Sequence, residues 1–260
     1  MPDLLAATLV AALVGACVGS FIATLALRTP EGWAGLWWGR SRCPACKRPL
    51  RALELVPLAS WLLQRGRCRS CGAALGAWYP LVELGGACVG AVSALLLPGH
   101  EAWLAALLGW CLLALAAIDL VAWILPDTLT LPLLLGGLLV AAGGDRLPGF
   151  TPLASLPSAA MGAAIGYLVL AALAFGYRRL RGRDGIGLGD AKLLGAAGAW
   201  LGAERLPMVL LAAALLGLAT AVVRRGPWRA DTAVPFGPAL AVAFWAAYVL
   251  AYWPWDRLAS

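Results

Sequence analysis

The sequence predicts an all-α polytopic membrane protein of about eight transmembrane helices with one small cytoplasmic loop domain built on four cysteines. Three observations predict it. Of the 260 residues, 62% are hydrophobic and only 13% charged, and the mean hydropathy is +0.83, far from the balance of an average soluble domain. The apolar residues fall into eight separate runs. The one long polar interval holds two Cys-x-x-Cys pairs.

In chain order the runs are residues 4–27, 80–97, 103–118, 129–142, 153–177, 191–201, 206–223 and 234–253. The fourth and sixth fall short of the roughly 20 residues that a perpendicular span needs, so tilting, re-entry or local thinning is expected there. The first run is long, has no basic segment before it and is followed by Arg28, which favours a retained span over a cleaved signal peptide. Gly15 and Gly19 form a small-xxx-small pattern in that run, a pattern common in glycine-rich membrane chains. Cys17, Cys88 and Cys111 read as small packing residues, and tryptophans near span ends, such as Trp78 and Trp123, read as interfacial belts. No internal repeat and no low-complexity linker is legible.

Orientation follows from the basic residues. Residues 28–78, 178–192 and 224–229 carry nine, five and three Lys or Arg, 17 of the 20 in the chain. Alternate loops are therefore basic, which places them in the cytoplasm and both termini on the opposite side. The formal charge of +7 is explained by this topology, and no nucleic-acid partner is expected. The expected division is a first transmembrane helix over 1–27, a cytoplasmic zinc-binding domain over 28–79 and a transmembrane aspartyl protease domain over 80–260.

Ionisable side chains at membrane depth are costly and point to function. Asp119 in IDLVAWILPDTLTLP and Asp190 in GIGLGDAKLLG, 71 residues apart, fall by this topology at the cytoplasmic ends of the third and sixth spans. Two carboxylates brought together can share one proton and activate water for peptide hydrolysis. The single histidine, His100, is placed on the other face, so a Ser/His or Cys/His system has no base near these motifs. Glu83 and Asp127 are further acids at or near the membrane. Asp127 reads as a helix N-cap with a supporting role, and Lys192 as an interfacial anchor or charge partner. Gly185, Gly187 and Gly189 before Asp190 permit close backbone approach of an extended substrate; their spacing is not that of a dinucleotide-binding loop.

Cys43, Cys46, Cys68 and Cys71 form two knuckles with the separation of a four-thiolate structural zinc site. A cytoplasmic loop is reducing, which favours metal over disulfides. A closed shell of four thiolates leaves no position for substrate, so the metal is expected to fold the loop and not to perform hydrolysis.

Several segments in order carry a family likeness: GSFIATLALRTP, SRCPACKRPL, VPLASWLLQRGRCRSCGAALGAWYPLVEL, IDLVAWILPDTLTLP, GIGLGDAKL and PFGPALAVA. The chain resembles the prepilin peptidases, the type IV leader peptidases of bacterial pilus and type II secretion systems. The resemblance implies an inner-membrane enzyme that removes the basic leader of prepilins or pseudopilins at the cytoplasmic face and N-methylates the new terminus with S-adenosylmethionine. It carries catalysis onto Asp119 and Asp190 and zinc ligation onto Cys43, Cys46, Cys68 and Cys71. One departure is Ala23, where the family commonly has Asn. The basic leader has Glu31, Glu54, Asp184 and Asp231 as countercharge on that face. An ion-coupled transporter using the membrane acids and a non-catalytic assembly scaffold docking through the cysteine loop are the alternative classes.

Overall fold

A computed structural model describes residues 2–31, 41–144, 151–182, 185, 187–223 and 235–253. All eight apolar runs are helices: α1 (Pro2–Arg28), α3 (Trp78–Leu96), α4 (Gly99–Ala122), α5 (Asp127–Gly143), α6 (Leu156–Arg181), α7 (Leu188–Leu201), α8 (Leu206–Val223) and α9 (Gly237–Ala251). A five-residue helix, α2 (Ala59–Leu63), lies in the cysteine loop, and the described residues hold no strand. By length and composition, α1, α3, α4, α6 and α8 can cross a membrane. The fourth and sixth runs are short helices of 17 and 14 residues, as expected, and the eighth joins them at 15. Glu31's side chain, Asp184 and Asp231 lie outside the described residues.

The chain forms two compact units, Met1–Ala122 and Trp123–Ser260. In unit 1, α1 packs along α3 through glycines. A methyl group added at Gly15 would overlap the Gly86 carbonyl, and one at Gly19 would meet the Val82 carbonyl. The small-xxx-small pattern is therefore a working interface, because bare backbone lets two helices approach closely in lipid. Indole donors fasten the unit: Trp78 Nε1 donates to the Ala23 carbonyl at 3.1 Å and Trp110 Nε1 to the Gly86 carbonyl at 3.0 Å.

Unit 2 repeats the device with α6 and α7, where a methyl at Gly198 would overlap the Gly162 carbonyl. The helix α6 outruns its apolar stretch by a turn, ending in Arg178, Arg179 and Arg181, cations that suit the negative end of a helix. It stops at Gly182, whose left-handed φ of 67° places its amide on the Arg178 carbonyl at 2.9 Å. Between α7 and α5, Trp200 Nε1 donates to the Leu133 carbonyl at 2.8 Å, and the Trp200 ring meets Tyr248 of α9 edge-on at 5.6 Å.

Candidate functional site

Each unit buries one helix and sets one of the two aspartates at its end. In unit 1, α4 carries thirteen buried residues, the last being Asp119, one turn before the helix stops at Ala122. The chain then turns through Trp123 at φ 59°, followed by the extended Pro126 that opens α5. In unit 2, every residue of α7 from Asp190 to Leu201 is buried except Lys192. Asp190 stands in the first turn, its amide donating to the Gly187 carbonyl at 3.1 Å. Asp119 is 7% exposed and Asp190 8%, which keeps both carboxyl groups from lipid.

The first-turn position of Asp190 suits an anion, because helix N-terminal amides are unpaired and carry partial positive charge. The glycine approach is also physical: a side chain at Gly189 would press on Leu125, and a Cβ at Gly187 would lie 3.4 Å from Asp190 Oδ2. The close approach is thus at Gly189, next to the aspartate, while Gly187 would be in ordinary contact.

Asp127 is not an N-cap. Pro126 holds that position without a side-chain cap, and Asp127 is the first helical residue, its Oδ1 taking a 2.6 Å hydrogen bond and ion pair from Lys192 Nζ. The N-cap reading fails because proline supplies the extended backbone and frees the aspartate to reach α7. Lys192 is the charge partner expected of it. Glu83 supports the loop: buried in α3, it accepts the Leu58 amide at 2.7 Å, holding that residue at φ 60° just before α2.

The four loop cysteines converge, their sulfurs all within 4.8 Å of one another, and all seven cysteines are free of disulfides. Cys43 Sγ and Cys71 Sγ are 3.8 Å apart. A tetrahedral ion with metal–sulfur distances of about 2.3 Å requires edges of about 3.8 Å, so the donor set fits a metal ion. Two inner ligands, Cys43 and Cys68, are buried, and two outer ones, Cys46 and Cys71, are exposed.

The loop contains a repeat that composition and spacing did not reveal. Cys43 N donates to Arg48 O and Lys47 N to Cys43 O; Cys68 N donates to Ala73 O and Gly72 N to Cys68 O, all at 2.9 Å. Lys47 and Gly72 both sit in the left-handed region, at φ 58° and 68°. The bridges Arg42–Pro49 and Arg67–Ala74 complete the match, so the two knuckles correspond at an offset of 25 residues. The visible signal was Arg-Cys-x-x-Cys followed by leucine at Leu50 and Leu75, too short a word to notice beside the cysteines themselves.

The thiols are poised for a cation. Hydrogen bonds from the Cys71 and Ser70 amides bring Cys68 down to about 6. The Cys46 amide likewise lowers Cys43. At Cys71 the Ala73 amide favours the thiolate, but burial and the neighbouring thiols carry it up to about 11. One cluster cannot hold several thiolates without a cation among them. Sequence reasoning also missed the tie beside the cluster, where Glu54 accepts the Arg51 amide at 2.8 Å and Arg48 Nη2 at 2.6 Å. These two contacts, the Arg51 amide foremost, hold the Glu54 carboxyl below its usual range.

Residues 13–97 match the family described as bacterial peptidase A24 N-terminal domain, and residues 106–222 match the type IV leader peptidase family. The chain is similar to a prepilin leader peptidase/N-methyltransferase of Aeromonas salmonicida, 48% identical over 211 residues, covering 80% of this chain and 70% of the relative. It is similar to the protein of that name in Burkholderia pseudomallei, 48% identical over 206 residues, 78% and 64% of the two chains. The Stutzerimonas stutzeri protein of that name is 38% identical over 276 aligned positions, 94% of this chain and 90% of the relative. No solved structure matches. With two adjoining family matches and relatives alike along most of their length, this multi-pass membrane protein belongs to the type IV leader peptidase family.

Proposed function

We propose that the chain cleaves the basic leader of type IV prepilins or pseudopilins by a two-aspartate mechanism and then N-methylates the new terminus. The single observation that carries the cleavage reading is the placement of Asp119 and Asp190, each buried at the end of the most enclosed helix of its unit. Both fall within the segment matched by the leader peptidase family. The methylation reading is supported by the names of the relatives.

In hydrolysis the ionised aspartate takes a proton from water as the oxygen attacks the scissile carbonyl, and the protonated aspartate donates to the carbonyl oxygen. We assign the base to Asp190, at the amino-terminal turn of α7, and the acid to Asp119, in the carboxyl-terminal turn of α4, on the general charge preference of helix ends. S-adenosylmethionine, when bound, would supply an electrophilic sulfonium methyl group for the new amine, which would give up one proton. The metal is zinc, held by Cys43, Cys46, Cys68 and Cys71, and it serves to fold the loop.

The basic segments face the cytoplasm of a bacterial inner membrane in this reading, with both termini opposite, and residues 28–79 act as a module apart from the protease domain. Of the countercharge considered for the leader, Glu54 is already engaged by Arg48, so other groups meet the leader's cations. The ion-coupled transporter and the scaffold have no observation in their favour.

The test is co-expression of wild type, Asp119→Asn and Asp190→Asn with a prepilin, reading product mass and N-terminus. Each variant is expected to lose cleavage, Asp190→Asn more completely, because asparagine at the acid position still donates a hydrogen bond to the carbonyl oxygen. Cleavage at the wild-type rate in either variant removes that residue from the mechanism, and equal losses withdraw the assignment of roles.

A further inference from the structure

Unit 1 holds a cavity of about 320 Å³ that the peptidase chemistry does not use. This volume is within the range of small-molecule sites, roughly 300–1,000 Å³. One wall is a stretch of α1 through Ser20 and Thr24, another is Tyr79 and Glu83 of α3, and the rest comes from the cysteine loop through Arg42, Trp61 and Gln64. All of these residues lie in the segment 13–97, matched by the N-terminal domain family, and none in the leader peptidase segment 106–222.

The lining is that of a binding site and not of a packing gap. Glu83 is 6% exposed, one of its oxygens accepts the Leu58 amide, and the other accepts no hydrogen bond among the described residues. The Arg42 guanidinium, the Gln64 amide and the Tyr79 hydroxyl also make no hydrogen bond among the described residues, although each lines the cavity. Arg28 and Glu54 line the cavity as well, Glu54 already engaged by Arg48 and the Arg51 amide, so carboxylates and guanidinium groups share one cavity and call for a ligand that carries both signs of charge. Trp61 and Tyr79 add aromatic surface, and Gln64 a donor and acceptor suited to the edge of a heterocycle.

We propose that this cavity binds the methyl donor, a nucleoside sulfonium zwitterion of the S-adenosylmethionine class. Arg42 is the partner for its carboxylate, Glu83 for its cationic centres, and Trp61, Tyr79 and Gln64 for its purine. The inference rests on the methyl-transfer reading above and adds the site. Ala23, the departure from the family's Asn, is fully buried with its carbonyl taken by Trp78, and it does not line the cavity.

Full-length, zinc-loaded protein in detergent tests this by photolabelling with tritiated S-adenosylmethionine, followed by peptide mapping and by equilibrium dialysis. Label is expected within residues 20–83, and Arg42→Gln and Glu83→Gln are each expected to weaken donor binding at least tenfold. The Arg42 side chain is exposed and makes no hydrogen bond among the described residues, so its variant stays informative if Glu83→Gln loses zinc and opens the loop. Label mapping outside 20–83, wild-type affinity in Arg42→Gln, absence of binding, or displacement of the label by phosphatidylethanolamine overturns the proposal. Product mass separates it from the reading beneath it. A methylated product with label elsewhere overturns the cavity alone, whereas label in the cavity with no methylated product overturns methyl transfer and leaves a donor-binding site.

Discussion

The two units bury a carboxylate in different ways. In unit 1 the enclosed helix, α4, has 24 residues and is about 36 Å long at 1.5 Å per residue, more than the roughly 30 Å hydrocarbon layer. Asp119 is sunk by standing one turn inside its end. In unit 2 the enclosed helix, α7, has 14 residues and is about 21 Å long, so it cannot reach across, and its burial begins at Asp190 itself, after the exposed Leu188. Asp190 needs no setting back. The difference teaches that a carboxylate can be covered by protein either well inside a long helix's end or in the first turn of a short one, where the helix N-terminus favours its charge.

The units differ also in what they add to the helices. Unit 1 carries a loop that gathers four thiols on a hydrogen-bonded repeat, whereas unit 2 carries the Lys192–Asp127 ion pair between two of its helices. Removing metal is thus the largest perturbation that should separate them. Structural zinc contributes on the order of 10 kcal/mol or more to small folded sites, so chelation, or Cys43→Ser, should open residues 41–77 to protease while the helices of unit 2 stay protected. Equal digestion of both units would show that the loop's order does not depend on metal.

The converse perturbation falls on the carboxylates. Asp190→Asn should cut leader cleavage by about 10³-fold or more, within the range of general acid–base contributions, with zinc content unchanged. Loss of zinc together with cleavage would mean that the two units are not separable in this way. Next in size are the glycine contacts: Gly198→Val in unit 2 or Gly15→Val in unit 1 should each cost about 1–3 kcal/mol by overpacking, read as a lower thermal midpoint in detergent. Gly198→Val should also impair cleavage, because it displaces the helix that carries Asp190. An unshifted midpoint in either would refute the close backbone packing.

Two smaller effects sharpen the description of the loop. Lys47 occupies the left-handed position that Gly72 fills in the second knuckle, so Lys47→Gly should stabilise the first knuckle by about 1 kcal/mol and raise the chelator concentration needed to strip it. Glu54→Gln should have the smallest effect, a release of zinc at higher pH than wild type. The sign follows from the depressed folded value of Glu54: its contribution is fully present above the ordinary carboxylate range and is lost as pH falls through the folded value. The variant lacks it throughout, and identical zinc retention against pH would show that the Arg48–Glu54 contact does not support the loop.

The number and place of the apolar helices were legible in the sequence, because lipid imposes a length and a composition on any segment that crosses it. The cysteine cluster was legible too, since ligand spacing within each knuckle is local. The chain also marks Asp119 and Asp190 as costly acids by their apolar neighbours alone. What only tertiary structure decided depends on contacts between distant residues: which glycines face a partner backbone, that Asp127 leaves its helix end for Lys192 65 residues away, and that Glu83 serves the loop. A hydrogen bond or a close approach needs a partner brought to a few ångströms by packing, and neither periodicity nor composition encodes which distant residue that partner is.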